Sequence, residues 1–173
     1  MHWRCTALGF VAPAARVLRD FGTQPWPPDC TLPPYSRVKG YHVINRQYDL
    51  LVRWVRFGIA PPTAPKLEFS TDEVPVLVRD ELGIVRGGIR LPDVEAPTAL
   101  NTGINSGATF CVLYGTYQPF DAATLNGLYS SHREYVGEVL ESARAAQRAG
   151  YISRGATLEY GLEALFADVP PGE

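Results

Sequence analysis

The chain has 173 residues, of which 46% are hydrophobic and 20% are charged, and its formal net charge is −2. These values are ordinary for a globular protein with its own hydrophobic core, and the lack of a basic block gives no support for a nucleic-acid partner. No apolar run approaches the roughly 18 residues that span a bilayer, so we expect no membrane span.

The N-terminal segment begins MHWRC and lacks the charged and apolar regions of a signal peptide. Localisation therefore stays unknown, with the cytoplasm as the default and export of a longer parent protein as an open alternative. A short helix is predicted over residues 13–21, because Pro13 suits the first helical position and Gly22 suits the position after the last. Residues 23–40 are rich in proline, which indicates an extended connector.

Residues 41–58 are expected to be helical, with a helix over residues 43–57 that ends at Gly58. Asp49 and Arg53 can pair at i, i+4 on another face of this helix. Apolar residues recur at helical spacing and share one face of this helix: Ile44, Tyr48, Leu51, Val52 and Val55. The pattern therefore predicts an amphipathic helix.

The middle of the chain, residues 66–118, is predicted to form short strands and turns. A glycine at the end of the loop 79–83 favours a hairpin there, because glycine suits the positive φ of such loops. The predicted elements are a weak strand at 66–69, hairpin strands at 76–78 and 84–86, a strand at 97–100 and a turn-rich stretch at 101–107.

Residues 121–167 are predicted to be helical. Asp121 suits the N-cap of a short helix that runs to residue 129. Ser131 and Glu134 have the spacing of a capping box and open a longer helix, which Gly150 ends. Two apolar sets mark the last helices: Val136, Val139, Leu140, Ala143 and Ala146 as an inner stripe, then Leu158, Leu162, Leu165 and Phe166 on a final helix over residues 157–166.

The three cysteines, Cys5, Cys30 and Cys111, are widely spaced, and no Cys-x-x-Cys motif supports a zinc or thioredoxin-type site. The favoured interpretation is that they are small buried side chains. A disulfide between Cys30 and Cys111 remains an open alternative if the parent protein is exported.

Isolated polar residues have structural interpretations that we favour over catalytic ones. His42, at the start of the first long helix, is expected to be a capping or core histidine, and His132 a solvent-facing residue at a helix N-terminus. Ser106 lies in a turn-forming stretch that explains its presence without catalysis. We expect no metal and no cofactor, since no suitable ligand or glycine spacing occurs. Four acidic residues lie in predicted turns and are expected to be solvated: Asp80, Glu81, Asp93 and Glu95.

Six segments follow one another along the chain: DCTLPP at 29–34, LVRWV at 51–55, RDELG at 79–83, GGIRLP at 87–92, FCVLYG at 110–115 and PFDAATL at 119–125. In this order and spacing they resemble the C-terminal part of a bacterial family described as alpha/beta hydrolase domain-containing. The resemblance covers roughly residues 4–155. It implies a mixed α/β fold in which residues 1–173 are a single region of a partial α/β-hydrolase domain.

No Gly-x-Ser-x-Gly nucleophile elbow occurs in the chain, although such hydrolases need one to expose their serine. In the family, the serine and the acidic residue are expected upstream of this segment, and the histidine near its start. His2 falls close to that place and is the weak candidate for a catalytic base. The resemblance therefore implies a C-terminal fragment or subunit of an esterase-like serine hydrolase that is not catalytic alone.

An alternative from a different functional class stays open, in which the chain is a non-catalytic module that binds a partner or forms oligomers. In either case, helix faces that belong against a sheet would be exposed apolar patches. The expected partners are an N-terminal hydrolase half or a second copy of the chain, so whether the chain is itself an enzyme is left open.

Overall fold

A computed structural model describes residues 30–107 and 111–172, and these residues form a mixed α/β arrangement of six helices and one two-stranded sheet. The helix predicted over residues 13–21 and the candidate His2 lie outside the described residues. The elements in chain order are α1 Tyr41–Phe57, α2 Pro92–Glu95, β1 Ala99–Thr102, α3 Cys111–Tyr114, β2 Thr116–Pro119, α4 Ala122–Leu128, α5 His132–Arg148 and α6 Arg154–Leu165.

The predicted amphipathic helix is confirmed as α1, which begins two residues earlier than the apolar pattern indicated. Gly58 has a φ of 67°, and its N–H donates to the carbonyl of Trp54, so the helix ends at a left-handed glycine. The ion pair of Asp49 is made with Arg46 rather than with Arg53, since its carboxylate lies 3.8 Å from Nη1 of Arg46. Both spacings, i, i+3 and i, i+4, bring side chains together on a helix, and the preceding arginine is the partner here.

The sheet consists of β1 and β2, which run antiparallel with Ala99 opposite Pro119 and Thr102 opposite Thr116. The strand predicted at 97–100 is thus present but begins two residues later. Asn105, just beyond β1, is buried and holds the connection by donating to the carbonyls of Leu32 and Gly115. The predicted turn-rich stretch therefore packs against both the proline-rich connector and the start of β2.

The predicted hairpin is part of a small β-triangle, formed by residues 66–70, 76–80 and 84–88. Each segment is bonded to the other two: the N–H of Val78 donates to Glu68, that of Arg86 to Val78 and that of Glu68 to Arg86, over 2.9–3.1 Å. The pairings are isolated bridges rather than continuous strands. The three segments therefore pair at single bridges and do not form the regular strands that the sequence pattern predicted.

Helices α5 and α6 form the centre of the hydrophobic core. The inner stripe predicted for α5 is confirmed, since Val136, Val139, Ala143 and Ala146 are buried and Leu140 packs against them. The Ser131 hydroxyl accepts the N–H of Glu134 over 3.2 Å as the N-cap. The Glu134 carboxylate in turn accepts the N–H of Ser130, so the capping box closes one residue earlier than its usual form.

Helix α6 packs on α5 through its small residues rather than through its large apolar ones. It begins at Arg154 behind the N-cap Ser153, three residues before the predicted start, and buries Ala156, Gly161 and Ala164. The apolar residues that suggested this helix are exposed instead: Leu158, Leu162, Leu165 and Phe166. Small side chains let the two helices approach closely, which turns the larger ones toward the outside.

Cys30 and Cys111 form a disulfide that spans 81 residues of sequence, and Cys111 is fully buried. The interpretation that we favoured from the sequence, free buried thiols, is wrong for these two residues, while Cys5 lies outside the described part of the chain. Next to the disulfide, the N–H of Thr31 donates to the carbonyl of Ser106 over 2.7 Å. The proline-rich connector is thereby fixed to the end of the β1 loop.

Candidate functional site

A group of polar residues lies where the start of α1 meets α2 and α6. We call it the base cluster; it consists of Lys39, Tyr41, His42, Asp93, Glu159, Tyr160 and Glu163. The ammonium of Lys39 lies 2.5 Å from Oε2 of Glu163 and 3.5 Å from Oδ1 of Asp93. The same ammonium sits 4.4 Å from the centre of the Tyr160 ring, within the range of a cation–π contact.

Asp93 connects the three elements of the base cluster. Its Oδ2 accepts the hydroxyl of Tyr160 over 2.5 Å and the backbone N–H of Lys39 over 3.2 Å. The expectation that Asp93 is a solvated turn residue is therefore wrong, because its neighbours in space come from distant parts of the chain. Glu95, by contrast, forms an ion pair with Arg90, and Asp80 accepts the N–H groups of Leu82 and Ile84 within its own turn.

His42 confirms the prediction of a core histidine, since its side chain is only 6% exposed. Its ring lies between two tyrosines, 4.2 Å from the ring centre of Tyr41 and 5.3 Å from that of Tyr160. Its Nε2 is 3.5 Å from Oε1 of Glu159, which also accepts the Tyr41 hydroxyl over 2.6 Å. Burial lowers the pKa of His42 below 6.5, although the Glu159 carboxylate opposes this shift.

Burial also raises the pKa values of the two tyrosines of the base cluster. It raises the pKa of Tyr160 far above the usual value, and the Asp93 carboxylate that accepts its hydroxyl adds to this effect. Burial and the hydrogen bond to Glu159 raise the pKa of Tyr41 in the same direction. Both hydroxyls therefore stay protonated at neutral pH and act as hydrogen-bond donors.

A pocket of about 230 Å³ opens beside the base cluster. Lys39, Asp93, Tyr160 and Glu163 form its polar wall, and α5 contributes Tyr135. Lys39, Asp93, Tyr160 and Glu163 are bonded to one another within this wall. Within residues 30–107 and 111–172, no group of three or more His, Cys, Asp or Glu side chains could hold a metal ion.

The other residues singled out from the sequence lie away from this cluster. Ser106 donates from its hydroxyl to Oγ1 of Thr31 over 2.9 Å, and its backbone N–H donates to Asn105. These contacts agree with the predicted role as a turn residue. The prediction that His132 faces solvent is wrong, because its ring is half-buried with Nδ1 2.9 Å from the carbonyl of Val169.

Two helices present large apolar side chains to solvent. On α1 the exposed apolar residues include the five that predicted the helix, which together form the apolar face of α1: Ile44, Tyr48, Leu51, Val52 and Val55. Tyr41, Trp54 and Phe57 of the same helix are exposed as well. Every residue from 51 to 69 is exposed, so the second half of α1 and the segment after it are open to solvent on all sides. The apolar face of α6 consists of Leu158, Leu162 and Leu165, with Phe166 next to it at 87% exposure. Exposed apolar surface of this extent is unusual in a monomeric soluble protein.

The sequence matches the family model of the alpha/beta hydrolase domain over residues 2–160. The chain belongs to this family. No curated protein and no solved structure shows significant similarity to it. None of the helices in the described part of the chain is long and apolar enough to cross a membrane.

Membership of the alpha/beta hydrolase family gives the exposed helices a structural context. Domains of this kind pack helices on both faces of a mostly parallel sheet, and the serine sits on a sharp turn between a strand and a helix. The described residues contain one sheet, and its two strands are antiparallel. Within the described residues, no parallel sheet therefore lies under the apolar face of α1.

Sequence reasoning did not find the base cluster, although it considered two of its members. Lys39, Glu159 and Glu163 form no motif, because the cluster draws on segments about 120 residues apart. The only local signal was His42 at a helix start. A long-range cluster of this kind becomes visible only when α1, α2 and α6 have been packed together.

Proposed function

We propose that the chain supplies the C-terminal scaffold of an esterase-like serine hydrolase and that it hydrolyses no ester alone. The single observation that carries this proposal is the exposed apolar face of α1 in a chain of the alpha/beta hydrolase family that has no nucleophile elbow. In this proposal, residues 1–173 act as one region of a partial domain, either as a fragment or as a separate subunit.

The groups that ester hydrolysis requires also support this proposal. Ester hydrolysis by a serine enzyme requires a serine, a histidine, an acidic residue and oxyanion-stabilising donors in one place. The described residues include two histidines, and each makes contacts that fit a structural role: His42 is enclosed in the base cluster, and His132 contacts Val169. His2 is the proposed base, and the serine and the acidic residue would come from an N-terminal hydrolase half.

The free energy of burial favours a partner surface against the apolar face of α1. Burying a single leucine or valine side chain contributes about 1.5–3 kcal/mol. Leu51, Val52 and Val55 are all more than half exposed, so this contribution is largely unused. A hydrophobic sheet face is the surface that such a helix covers in an α/β fold, and an N-terminal hydrolase half would provide it.

Two experiments test this proposal. The purified chain is incubated with p-nitrophenyl acetate, and we expect no turnover above the buffer rate. The DNA upstream of the first codon is also read, and we expect an in-frame or neighbouring segment that encodes Gly-x-Ser-x-Gly. Turnover by the chain alone that disappears in the Ser106→Ala variant would contradict the proposal, because Ser106 would then be a nucleophile.

A second candidate function is a non-catalytic module that associates with itself through the same surfaces. The two separate exposed faces, one on α1 and one on α6, favour it, because two faces on one chain permit both partner binding and oligomer formation. Sedimentation of the chain with and without a co-produced N-terminal half separates the candidates. A preferred one-to-one complex supports the hydrolase scaffold, whereas unchanged oligomers in the presence of that half support the module.

A further inference from the structure

The C-terminal half of α1 projects from the rest of the described structure. The side chain of Arg46 donates to the carbonyl of Gly150 over 3.3 Å, and a Cβ added at Gly150 would lie 3.2 Å from Cγ of Pro62. The chain thus leaves Gly150 along α1 and returns to it at Pro62. Between these contacts, Leu50 is the last buried residue of α1. The helix extends about 10 Å beyond it, and we call residues 51–59 the tip of α1.

The tip exposes an aromatic surface that is distinct from the apolar face of α1. Trp54 and Phe57 follow Leu50 at i+4 and i+7 and so lie on its side of the helix. Leu50 is buried, whereas Trp54 is 53% and Phe57 69% exposed. At about 100° per residue, the two rings lie about 100° and 160° around the helix from Val55, which is central in the apolar face. A sheet that covered the apolar face would therefore leave both rings uncovered.

The tip and the segment that follows it are also basic. Between Leu50 and Glu68 the chain carries Arg53, Arg56 and Lys66 and no acidic residue, which gives a charge of +3. The rest of the chain therefore carries −5, the total of −2 less this +3. Within the part of the chain that the structure describes, neither Arg53 nor Arg56 forms an ion pair. Unpaired cations beside exposed aromatic rings favour an anionic partner surface.

The distribution of side chains around the tip favours a lipid surface over a protein. The apolar residues of the tip, from Phe57 round to Val52, cover roughly 220° of the helix circumference. A helix that packs on a protein core needs an apolar stripe of only about 100°. The two arginines fill the remaining side. Trp, Phe and Leu on one side and Arg on the other are typical of a helix that lies in a membrane interface.

We propose that the tip of α1 binds an anionic lipid surface. Trp54, Phe57 and Ile59 enter the boundary between headgroups and acyl chains, and Arg53 and Arg56 contact the phosphate groups. A helix bound in this way lies in the interface and does not span the bilayer. The proposal goes beyond the hydrolase scaffold and does not depend on it, because Trp54 and Phe57 lie outside the face that the scaffold would cover.

Binding to lipid vesicles tests the role of the two arginines. The full chain is sedimented with vesicles of phosphatidylcholine alone and with vesicles that contain about one third phosphatidylglycerol. We expect at least tenfold tighter binding to the anionic vesicles. Each arginine near an anionic surface contributes about fivefold in affinity, so Arg53→Gln/Arg56→Gln should weaken this binding at least tenfold. Equal binding of the wild type to both kinds of vesicle would overturn the proposal.

A matched variant on α5 shows whether the effect belongs to the tip. Arg144 and Arg148 are exposed and lie one turn apart, so Arg144→Gln/Arg148→Gln removes the same charge from another surface. We expect it to change the affinity for anionic vesicles less than twofold. An effect as large as that of Arg53→Gln/Arg56→Gln would mean that only net charge matters, and the tip would then not be the binding site.

The fluorescence of Trp54 reports whether the tip enters the lipid. Brominated phosphatidylglycerol quenches indole rings that reach the acyl chains, and the other two tryptophans, Trp3 and Trp26, are common to the wild type and to Trp54→Phe. We expect the quenching by these vesicles to fall by at least half in the variant. Equal quenching of both proteins would refute the insertion of the tip.

A second copy of the chain is the competing occupant of the tip. Sedimentation velocity without lipid compares the wild type with Trp54→Ser/Phe57→Ser. Self-association that is lost in this variant, together with no binding of the wild type to anionic vesicles, would assign the tip to a protein interface and overturn the proposal. None of these measurements involves an ester or an N-terminal hydrolase half, so the proposed hydrolase scaffold stands or fails separately.

Discussion

The hydroxyl of Tyr160 on α6 donates to Oδ2 of Asp93 on α2 over 2.5 Å, and this bond joins two elements that are 67 residues apart in sequence. Tyr160 is 3% exposed, so its hydroxyl depends on that carboxylate. The same carboxylate accepts the backbone N–H of Lys39 and so reaches the segment that leads into α1. The pair thus holds three parts of the fold around one charged group.

Removing the Tyr160 hydroxyl is expected to destabilise the protein. In Tyr160→Phe, the Asp93 carboxylate, which is 15% exposed, loses a donor, and hydrogen bonds to charged groups contribute about 1.5–3 kcal/mol. Urea unfolding should show a loss of about 2 kcal/mol. Tyr151→Phe is the matched control, because its hydroxyl donates to the Thr63 carbonyl at an exposed position. An equal loss of stability in both variants would show that the Tyr160–Asp93 hydrogen bond contributes no more than the exposed one.

The β-triangle depends on a glycine at one corner. Gly87 has a φ of 77°, and a Cβ there would lie 2.3 Å from the carbonyl oxygen of Lys66. Gly87→Ala is expected to cost at least about 2 kcal/mol, since the backbone strain and the clash with main-chain atoms add together. Gly103→Ala is the control, because a Cβ at that position meets nothing within 4 Å. Thermal melting compares the two variants, and a melting temperature unchanged by Gly87→Ala would contradict this role.

The Cys30–Cys111 disulfide is expected to stabilise the folded chain. Closing a loop of 81 residues contributes up to about 4.5 kcal/mol in the chain-entropy model, and removal of native disulfides commonly costs about 2–5 kcal/mol. Cys30→Ser should therefore lower the melting temperature strongly, as should a reductant acting on the wild type. Cys5→Ser is the control that leaves the disulfide intact.

Thiol counting checks the disulfide independently of stability. The chain has three cysteines, so the oxidised protein unfolded without reductant should show one reactive thiol and the reduced protein three. Three thiols before reduction would mean that the disulfide does not form.

Local signals in the sequence were sufficient to predict the helices that have a regular apolar pattern or an N-cap residue. The pattern of α1, the Asp121 cap of α4 and the Ser131 cap of α5 all predicted helices that are present. Asp121 accepts the N–H of Thr124, as the N-cap prediction requires. These features depend on residues within one or two helical turns, and so the sequence alone reveals them.

The sequence failed where an interaction depends on packing between distant segments. Periodicity shows that α6 has large apolar residues, but whether these or the small residues face α5 is decided by how closely the helices approach. Gly161 makes this approach possible, because a Cβ there would lie 2.8 Å from Cδ2 of Leu140. Asp93 was misjudged for the same reason, since Tyr160 and Lys39 are local to it only in space.

The apolar face of α1 should tolerate a charge that a buried position on α5 does not. Val55 is 78% exposed, so Val55→Asp should change the free energy of unfolding by no more than about 0.5 kcal/mol. If the face docks on a partner or on a second copy, the same variant should weaken that association at least tenfold, because the carboxylate would be buried without a partner.

Val136→Asp is the matched substitution inside the core, where the same charge should prevent cooperative folding. Sedimentation velocity measures association, and urea unfolding measures stability in parallel. Two results together would show that this face is not a docking surface: a wild-type chain that remains a compact monomer at high concentration, and a Val55→Asp variant that binds an N-terminal hydrolase half as tightly as the wild type does. Loss of association in Val55→Asp with unchanged unfolding would instead assign the face to assembly, since the fold itself does not need it.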